Sequence, residues 1–276
     1  MAIYSKIDIK ERWVMEKEKW NSIEEFIIFL KQKKAYQFAR EHCKNSYVLD
    51  YGCGAGYGTA LLSKNSNRII GVDINEEVID FCIKTYNFHN LSFQNINNKY
   101  PLPFEDKLFD VIVTFQVIEH IHNVQTYLFE LRRLLKDIGI LFVTTPNRKY
   151  RLLPFQKPWN KEHVKEYNLK GFRKELMSVF KKVKILGVYG KEEINRIEHK
   201  RVSPMKIIPA KMLKVILPSY VFSSLKNLHQ KTFSRKKNII SPDQEINLLC
   251  KYSIDDIIVG ENVGKSLDFL AICYKQ

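Results

Sequence analysis

The chain has no apolar run near the roughly 18 residues that span a membrane. Its longest, Val111–Phe115 and Ile138–Val143, are strand-sized. Cysteine is sparse and odd in number: Cys43, Cys53, Cys82, Cys250 and Cys273, with no CxxC pair. That argues against a disulfide scaffold or a zinc site and suits a reducing compartment. The opening residues Met1-Ala2-Ile3-Tyr4-Ser5-Lys6 lack a basic-then-apolar signal pattern, so a cytoplasmic protein is expected. There is no internal repeat and no low-complexity tract. What the 276 residues do hold is 45% hydrophobic and 12% aromatic side chains, enough for a packed core and too many for a disordered chain.

Acid is also in short supply, with 30 Asp and Glu against 45 Lys and Arg, a net charge of +15. A basic surface attracts polyanions. Lys outnumbers Arg 34 to 11, however, whereas phosphate and base recognition favours the planar fork of Arg. Most of this charge is read as a solvated face, and nucleic acid is not the expected partner. One stretch stands apart: His199 to Pro242 contains ten Lys and Arg and no acid.

Helix-like and strand-like segments alternate. Helical spacing runs over Glu24–Cys43, Thr59–Lys64, Glu76–Tyr86, Val124–Leu135 and Lys170–Phe180. Strand patterns cover Tyr47–Asp50, Arg68–Asp73, Leu91–Gln94, Phe109–Thr114, Gly139–Thr144, Lys182–Tyr189 and Ser266–Tyr274. The alternation predicts a doubly wound α/β fold with ligands at the carboxyl ends of its strands; a mostly parallel seven-stranded sheet with its last strand antiparallel is expected. Four segments are expected: a helical leader (1–45), the core (46–190), a basic amphipathic insertion (191–265) and a final strand (266–276). The insertion interleaves Met205, Ile207, Met212, Leu213, Ile216 and Tyr220 with Lys206, Lys211, Lys214 and Lys226. It reads as a substrate lid or, over 200–237, as a helix lying on an anionic lipid surface.

The most informative run is Val48-Leu49-Asp50-Tyr51-Gly52-Cys53-Gly54-Ala55-Gly56-Tyr57-Gly58. Its glycines allow a tight turn after the first strand and close approach of a ligand to the backbone. The spacing is not that of the dinucleotide fingerprint, and no Gly-Lys-Ser/Thr follows as in a phosphate loop. Asp50 puts a carboxylate where an anion would sit, which suits a ligand bearing an amine. Asp73, 23 residues on at the end of the second strand, is placed to take both hydroxyls of a ribose. The third piece is Leu102–Val113 running into Thr114-Phe115-Gln116-Val117-Ile118-Glu119-His120.

Together these pieces resemble the class I S-adenosylmethionine-dependent methyltransferases of the broad bacterial small-molecule group. The likeness covers roughly residues 45–190 and the last strand: VLDxGCGxGxG at Val48–Gly58, the second-strand acid at Asp73, and LPFxDxxFDVV…EVIEH at Leu102–His120. Glu11-Arg12-Trp13 and Ala35–Ala39 further resemble methyltransferases of surface-polysaccharide gene clusters. The resemblance implies the cofactor S-adenosylmethionine, with S-adenosylhomocysteine as product. It implies that Asp50, Gly52, Cys53, Gly54, Gly56 and Tyr57 hold the methionine end. Asp73 would hold the ribose and Ile74 would pack on the adenine, with Thr114, Phe115 and Gln116 lining the sulfonium side. Two departures stand out. An acid that bonds the adenine amino group in the family is replaced by Asn95 or Asn97, and the Glu before VIEH is Gln116.

Methyl transfer is an in-line displacement needing alignment of acceptor and methyl and exclusion of water. A hydroxyl or protonated amine also needs a base. The candidates are His120 beside Glu119, and His163 and Glu166 in the run Pro158–Tyr167, which resembles the acceptor-facing NPxHVREY segment of the family. His122 reads as a surface histidine. No His, Cys, Asp and Glu spacing suggests a metal, so none is expected. The acceptor is expected to be a small metabolite, a sugar nucleotide or a lipid-linked glycan, with contact at the inner membrane surface as an accompaniment. The alternatives are an RNA methyltransferase, which would lack an appended RNA-binding motif and an N/D-P-P-Y segment here, and a cofactor-binding protein without catalysis.

Overall fold

The computed structural model describes residues 22–97, 100–152, 156–158, 160–202 and 251–276. Helix α1 (Ile23–Arg40) begins on Ser22, whose side chain accepts from the Glu25 N–H, with Glu24 and Glu25 in the first turn, where helix-dipole and capping effects favour them. Then come β1 (Tyr47–Tyr51), α2 (Tyr57–Ser63), β2 (Arg68–Asp73), α3 (Glu76–Thr85), β3 (Leu91–Asn95), β4 (Phe109–Phe115) and a 3-10 turn (Ile118–His120). The chain continues through α4 (Val124–Leu134), β5 (Leu135–Pro146), α5 (Arg148–Arg151), α6 (Leu169–Met177), β6 (Lys182–Gly190), α7 (Glu192–Val202), β7 (Ile257–Gly260) and β8 (Asp268–Tyr274). Asn75, Asn123 and Asn168 cap α3, α4 and α6 by accepting backbone N–H groups, a role in which a short polar side chain replaces a missing helical bond.

The strands are apolar without a break because both faces of the sheet are covered. Val48, Ile69, Val111, Val113 and Phe142 join the core beneath α1 and α2. Their neighbours Leu49, Ile70, Ile112, Leu141 and Val143 join the core beneath α4 and α6. The strand order is β3-β2-β1-β4-β5-β8-β6-β7. From β3 to β5 every pairing is parallel, while β8 runs antiparallel to both β5 and β6.

This is the expected doubly wound α/β sheet with an antiparallel last strand, but among the described residues it has eight strands. The additional strand, β7, pairs antiparallel with β6, Gly187 opposite Gly260, and covers what would be an open edge. It lies within 191–265, the segment read from sequence as an insertion. The described ends of that segment belong to the core instead: Ile194 of α7 and Ile257 of β7 are buried in the same cluster as α1. The amphipathic stretch 203–250, like the leader residues 1–21, lies outside the described residues. Among the described residues no helix is long and apolar enough to cross a membrane.

A buried ion cluster ties three of these elements together. Lys31 of α1 meets Glu198 of α7 at 2.9 Å and Asp268 of β8 at 3.1 Å, and Arg201 reaches Glu198 at 2.8 Å. Burial raises the Glu198 pKa, but Lys31 and Arg201 outweigh it and hold the carboxyl at about 2. Lys31→Met would leave two buried carboxylates short of a cation and is expected to lower the unfolding free energy by about 3 kcal/mol, measured by urea denaturation. Because the folded pKa of Glu198 lies below its ordinary value, the stabilisation is complete above about pH 5 and is lost as pH falls toward 2. Glu198→Gln should flatten that part of the stability-versus-pH curve.

Candidate active site

Strand order reverses between β1 and β4, so α2 goes to one face of the sheet and α4 to the other. The carboxyl ends of these two strands flank the gap between those helices, the position where open α/β sheets bind ligands. A cavity of about 370 Å³ opens there, within the range of small-molecule pockets. Gly52, Cys53, Gly54 and Ala55 form one wall, and Phe115 and Gln116 lie at the strand end. Lys31, Gln32 and Tyr36 of α1 close over it, and Glu119, His120, Asn160 and His163 form the opposite wall.

The glycine loop depends on backbone that other residues resist. Gly52 has φ +77°, and a Cβ there would lie 2.5 Å from a Val117 methyl group. At Gly58 the constraint is approach: a Cβ would lie 2.1 Å from the Tyr36 ring. That ring lies over the loop and its hydroxyl donates to both oxygens of Asp50, at 3.2 and 3.3 Å, while Thr59 Oγ1 donates at 2.7 Å. Asp50 is fully buried. Burial pushes its carboxyl up to about 7, against the pull of those Thr59 and Tyr36 bonds. Asp73 shapes the same loop from β2: its oxygens accept the Gly54 N–H and the Asn75 N–H, each at 3.0 Å. Burial raises the Asp73 pKa, with the backbone donors opposing. Gln116 at the end of β4 is held at φ +58°, a left-handed conformation uncommon outside glycine. Its backbone N–H donates to the Thr144 carbonyl at 3.1 Å and its side-chain amide to Thr144 Oγ1 at 3.2 Å.

The opposite wall is an assembly of titratable groups. The Glu119 carbonyl accepts the N–H groups of Val164 and Lys165, which brings the 160–166 loop against the 3-10 turn. His120 Nδ1 lies 3.0 Å from the Glu162 carbonyl, an acceptor only, so Nδ1 carries the hydrogen and Nε2 the lone pair. His163 Nδ1 lies 2.9 Å from Glu166 Oε1, and Arg151 Nε bonds both Glu166 oxygens at 3.2 Å. The two imidazoles meet edge to face, their centroids 4.7 Å apart. Burial and the neighbouring His163 push His120 down to about 4. Glu119 is 1% exposed. Burial pushes it up to about 8, although its Oε2 accepts from Thr145 Oγ1 at 3.0 Å.

Of the residues singled out from sequence, Gly52, Cys53, Gly54, Tyr57, Phe115, Gln116, His120 and His163 line the cavity. Asp73, Ile74, Asn95 and Asn97 lie beside it at the ends of β2 and β3. Asn95 and Asn97 are exposed, and the Asn95 amide donates to the Asp73 carbonyl at 3.2 Å. Asp50 and Gly56 lie behind the glycine wall. Thr114, expected on the sulfonium side, points to the other face of the sheet, since alternate residues of a strand face opposite ways. It is fully buried there and pairs with the Tyr127 hydroxyl at 2.6 Å. Glu166, a candidate base, has a fully buried side chain engaged by Arg151 and His163, so it positions rather than touches a ligand. His122 is exposed. Sequence spacing suggested no metal cluster, yet the fold brings Glu119, His120 and His163 together, the two histidines 43 residues apart in the chain. Lys31, Arg151, Arg201 and Asp268 also line the cavity and had no local signature, being ordinary charged residues contributed by four separate elements.

Residues 42–201 match the family described as a methyltransferase domain. A probable S-adenosylmethionine-dependent methyltransferase of Mycolicibacterium smegmatis is 33% identical over 145 residues, 52% of this chain and 55% of its own. A ubiquinone biosynthesis O-methyltransferase of Bartonella tribocorum is 26% identical over 157 residues, 53% of this chain and 64% of its own. The chain thus spans about half the length of the first of these relatives. A solved SAM-dependent methyltransferase of Thermotoga maritima superposes over 97% of this chain and 98% of its own, with a TM-score of 0.57 at 16% identity, a likeness of fold. Gly52→Ala, which forces a Cβ into the left-handed region and onto Val117, is expected to cost about 1–2 kcal/mol of stability, read as a lowered thermal midpoint.

Proposed function

Since the chain belongs to the methyltransferase domain family, we propose that it transfers a methyl group from S-adenosylmethionine to a hydroxyl, or an amine, of a small metabolite. The observation that carries this reading is the crevice between β1 and β4, with a wall of left-handed glycines on one side and paired histidines on the other. The residues present suit the cofactor. The Asp73 oxygens accept the N–H groups of Gly54 and Asn75, and a carboxylate's several lone-pair sites leave capacity for a ribose hydroxyl. Ile74, 47% exposed at the strand end, offers an apolar surface to an adenine ring. When bound, S-adenosylmethionine supplies a methyl group on a sulfonium whose charge disappears on transfer.

The chain's own part is to bind, orient and take up a proton. Tyr36 and Gln32 of α1 close over the crevice and limit access of water. His163 is oriented by Glu166, itself held by Arg151. This fixes the tautomer that presents Nε2 as the base for a hydroxyl. Likeness to a ubiquinone biosynthesis O-methyltransferase favours an oxygen acceptor. Within that class the reading is a sugar or glycan intermediate; a lipid-linked one would also engage the basic stretch 200–237 at the inner membrane surface.

Calorimetric titration of S-adenosylmethionine and S-adenosylhomocysteine into wild type and Asp73→Ala tests the cofactor site. Binding that collapses in the folded variant is the expected result, and no binding by folded wild type would sink the reading. With an acceptor found by screening sugar nucleotides and lipid-linked glycans, His163→Ala is expected to lower kcat by about 10²–10⁴-fold while S-adenosylhomocysteine still binds.

A further inference from the structure

We infer that Glu119, His120 and His163 form a binding site for one divalent first-row transition-metal ion on the acceptor side of the crevice. The site's role rests on the methyltransferase reading; its geometry does not. One ligand atom from each residue lies within 4.8 Å of the others. Ions of this kind sit about 2.0–2.2 Å from nitrogen and oxygen ligands, so small side-chain rotations bring the three atoms into a common shell.

Three further observations point to an ion. Glu119 Oε1 is buried and, among the described residues, has no hydrogen-bond partner, an arrangement that costs free energy unless something occupies it. Both histidines have Nδ1 engaged, His120 by the Glu162 carbonyl and His163 by the Glu166 carboxylate. Such outer partners orient metal-bound imidazoles and direct Nε2 to the ion. All three residues line the cavity, so positions not filled by protein would face a ligand there.

Two imidazoles and one carboxylate suit ions of intermediate softness such as Zn²⁺, Co²⁺ and Fe²⁺ better than Mg²⁺ and Ca²⁺, which prefer oxygen ligands throughout. Three protein ligands with an open position is the pattern of reactive rather than purely structural sites. The open position would admit the acceptor hydroxyl, and the ion would act as a Lewis acid that lowers the hydroxyl's pKa, its proton leaving to a water molecule. With the ion bound, His163 would serve as a ligand rather than as the base.

The test uses the full chain, stripped with a chelator and titrated with Co²⁺, read by the visible ligand-field absorption. S-adenosylhomocysteine binding is measured calorimetrically on the same samples. One Co²⁺ per chain is expected, displaced by Zn²⁺ and not by equimolar Mg²⁺, and lost in His120→Ala and His163→Ala. Glu166→Gln keeps all three ligands but removes an outer partner, and should weaken Co²⁺ by about 10–100-fold. Retained S-adenosylhomocysteine binding shows that each variant is folded. No Co²⁺ binding by wild type, or equal binding by the two histidine variants, overturns the site while the methyltransferase reading stands. Co²⁺ binding by wild type without S-adenosylhomocysteine binding supports the site and overturns that reading instead.

Discussion

Everything at the site depends on a sheet apolar on both faces whose strand order reverses once. Covering both faces sends the crossover helices α2 and α4 to opposite sides at β1 and β4, and the gap this leaves at the strand ends is a ligand position, over which α1 closes. The left-handed turns at Gly52 and Gln116 lie on the two sides of this gap. Both are held by neighbours, Gly52 donating its N–H to the Val72 carbonyl and Gln116 to that of Thr144. At Gln116, where a side chain makes this conformation costly, it persists because the surrounding structure over-determines it.

The charges around the crevice come already paired. Lys31 is shared between Glu198 and Asp268, Glu198 also holds Arg201, and Glu166 bridges Arg151 and His163. Pairing of this order is what allows ionised groups to be buried at all. It also gives α1 a role beyond packing: one face of the helix joins the core through Ile27, Leu30 and Ala39, while Lys31, Gln32 and Tyr36 form the cover of the cavity. Fold stability and site shape therefore share the same residues.

Glu119 is the exception within that network. One of its oxygens is engaged by Thr145 and the other by nothing among the described residues, and two imidazoles stand beside it with their outer nitrogens occupied. A fully paired pocket would be a passive container. The unpartnered Glu119 oxygen leaves this wall with a polar group that a ligand could engage.

Much of this was legible in the chain itself. Strand-sized apolar runs and the alternation of strand and helix patterns determined a doubly wound sheet, and the spacing of Asp50, Gly52, Gly54 and Asp73 located the glycine wall, because these depend on neighbours within a few residues or one βαβ unit. Strand β7 was not legible: four residues, Ile257–Gly260, gain their identity only by pairing with β6. Nor was the fate of Thr114, which shares a strand end with Phe115 but faces Tyr127, since which face meets the cavity depends on what packs there. The convergence of Glu119 with His163, and of Lys31 with Glu198 and Asp268, was decided by tertiary structure alone. Charged side chains from distant elements carry no local period, and only the folded sheet brings them within bonding distance.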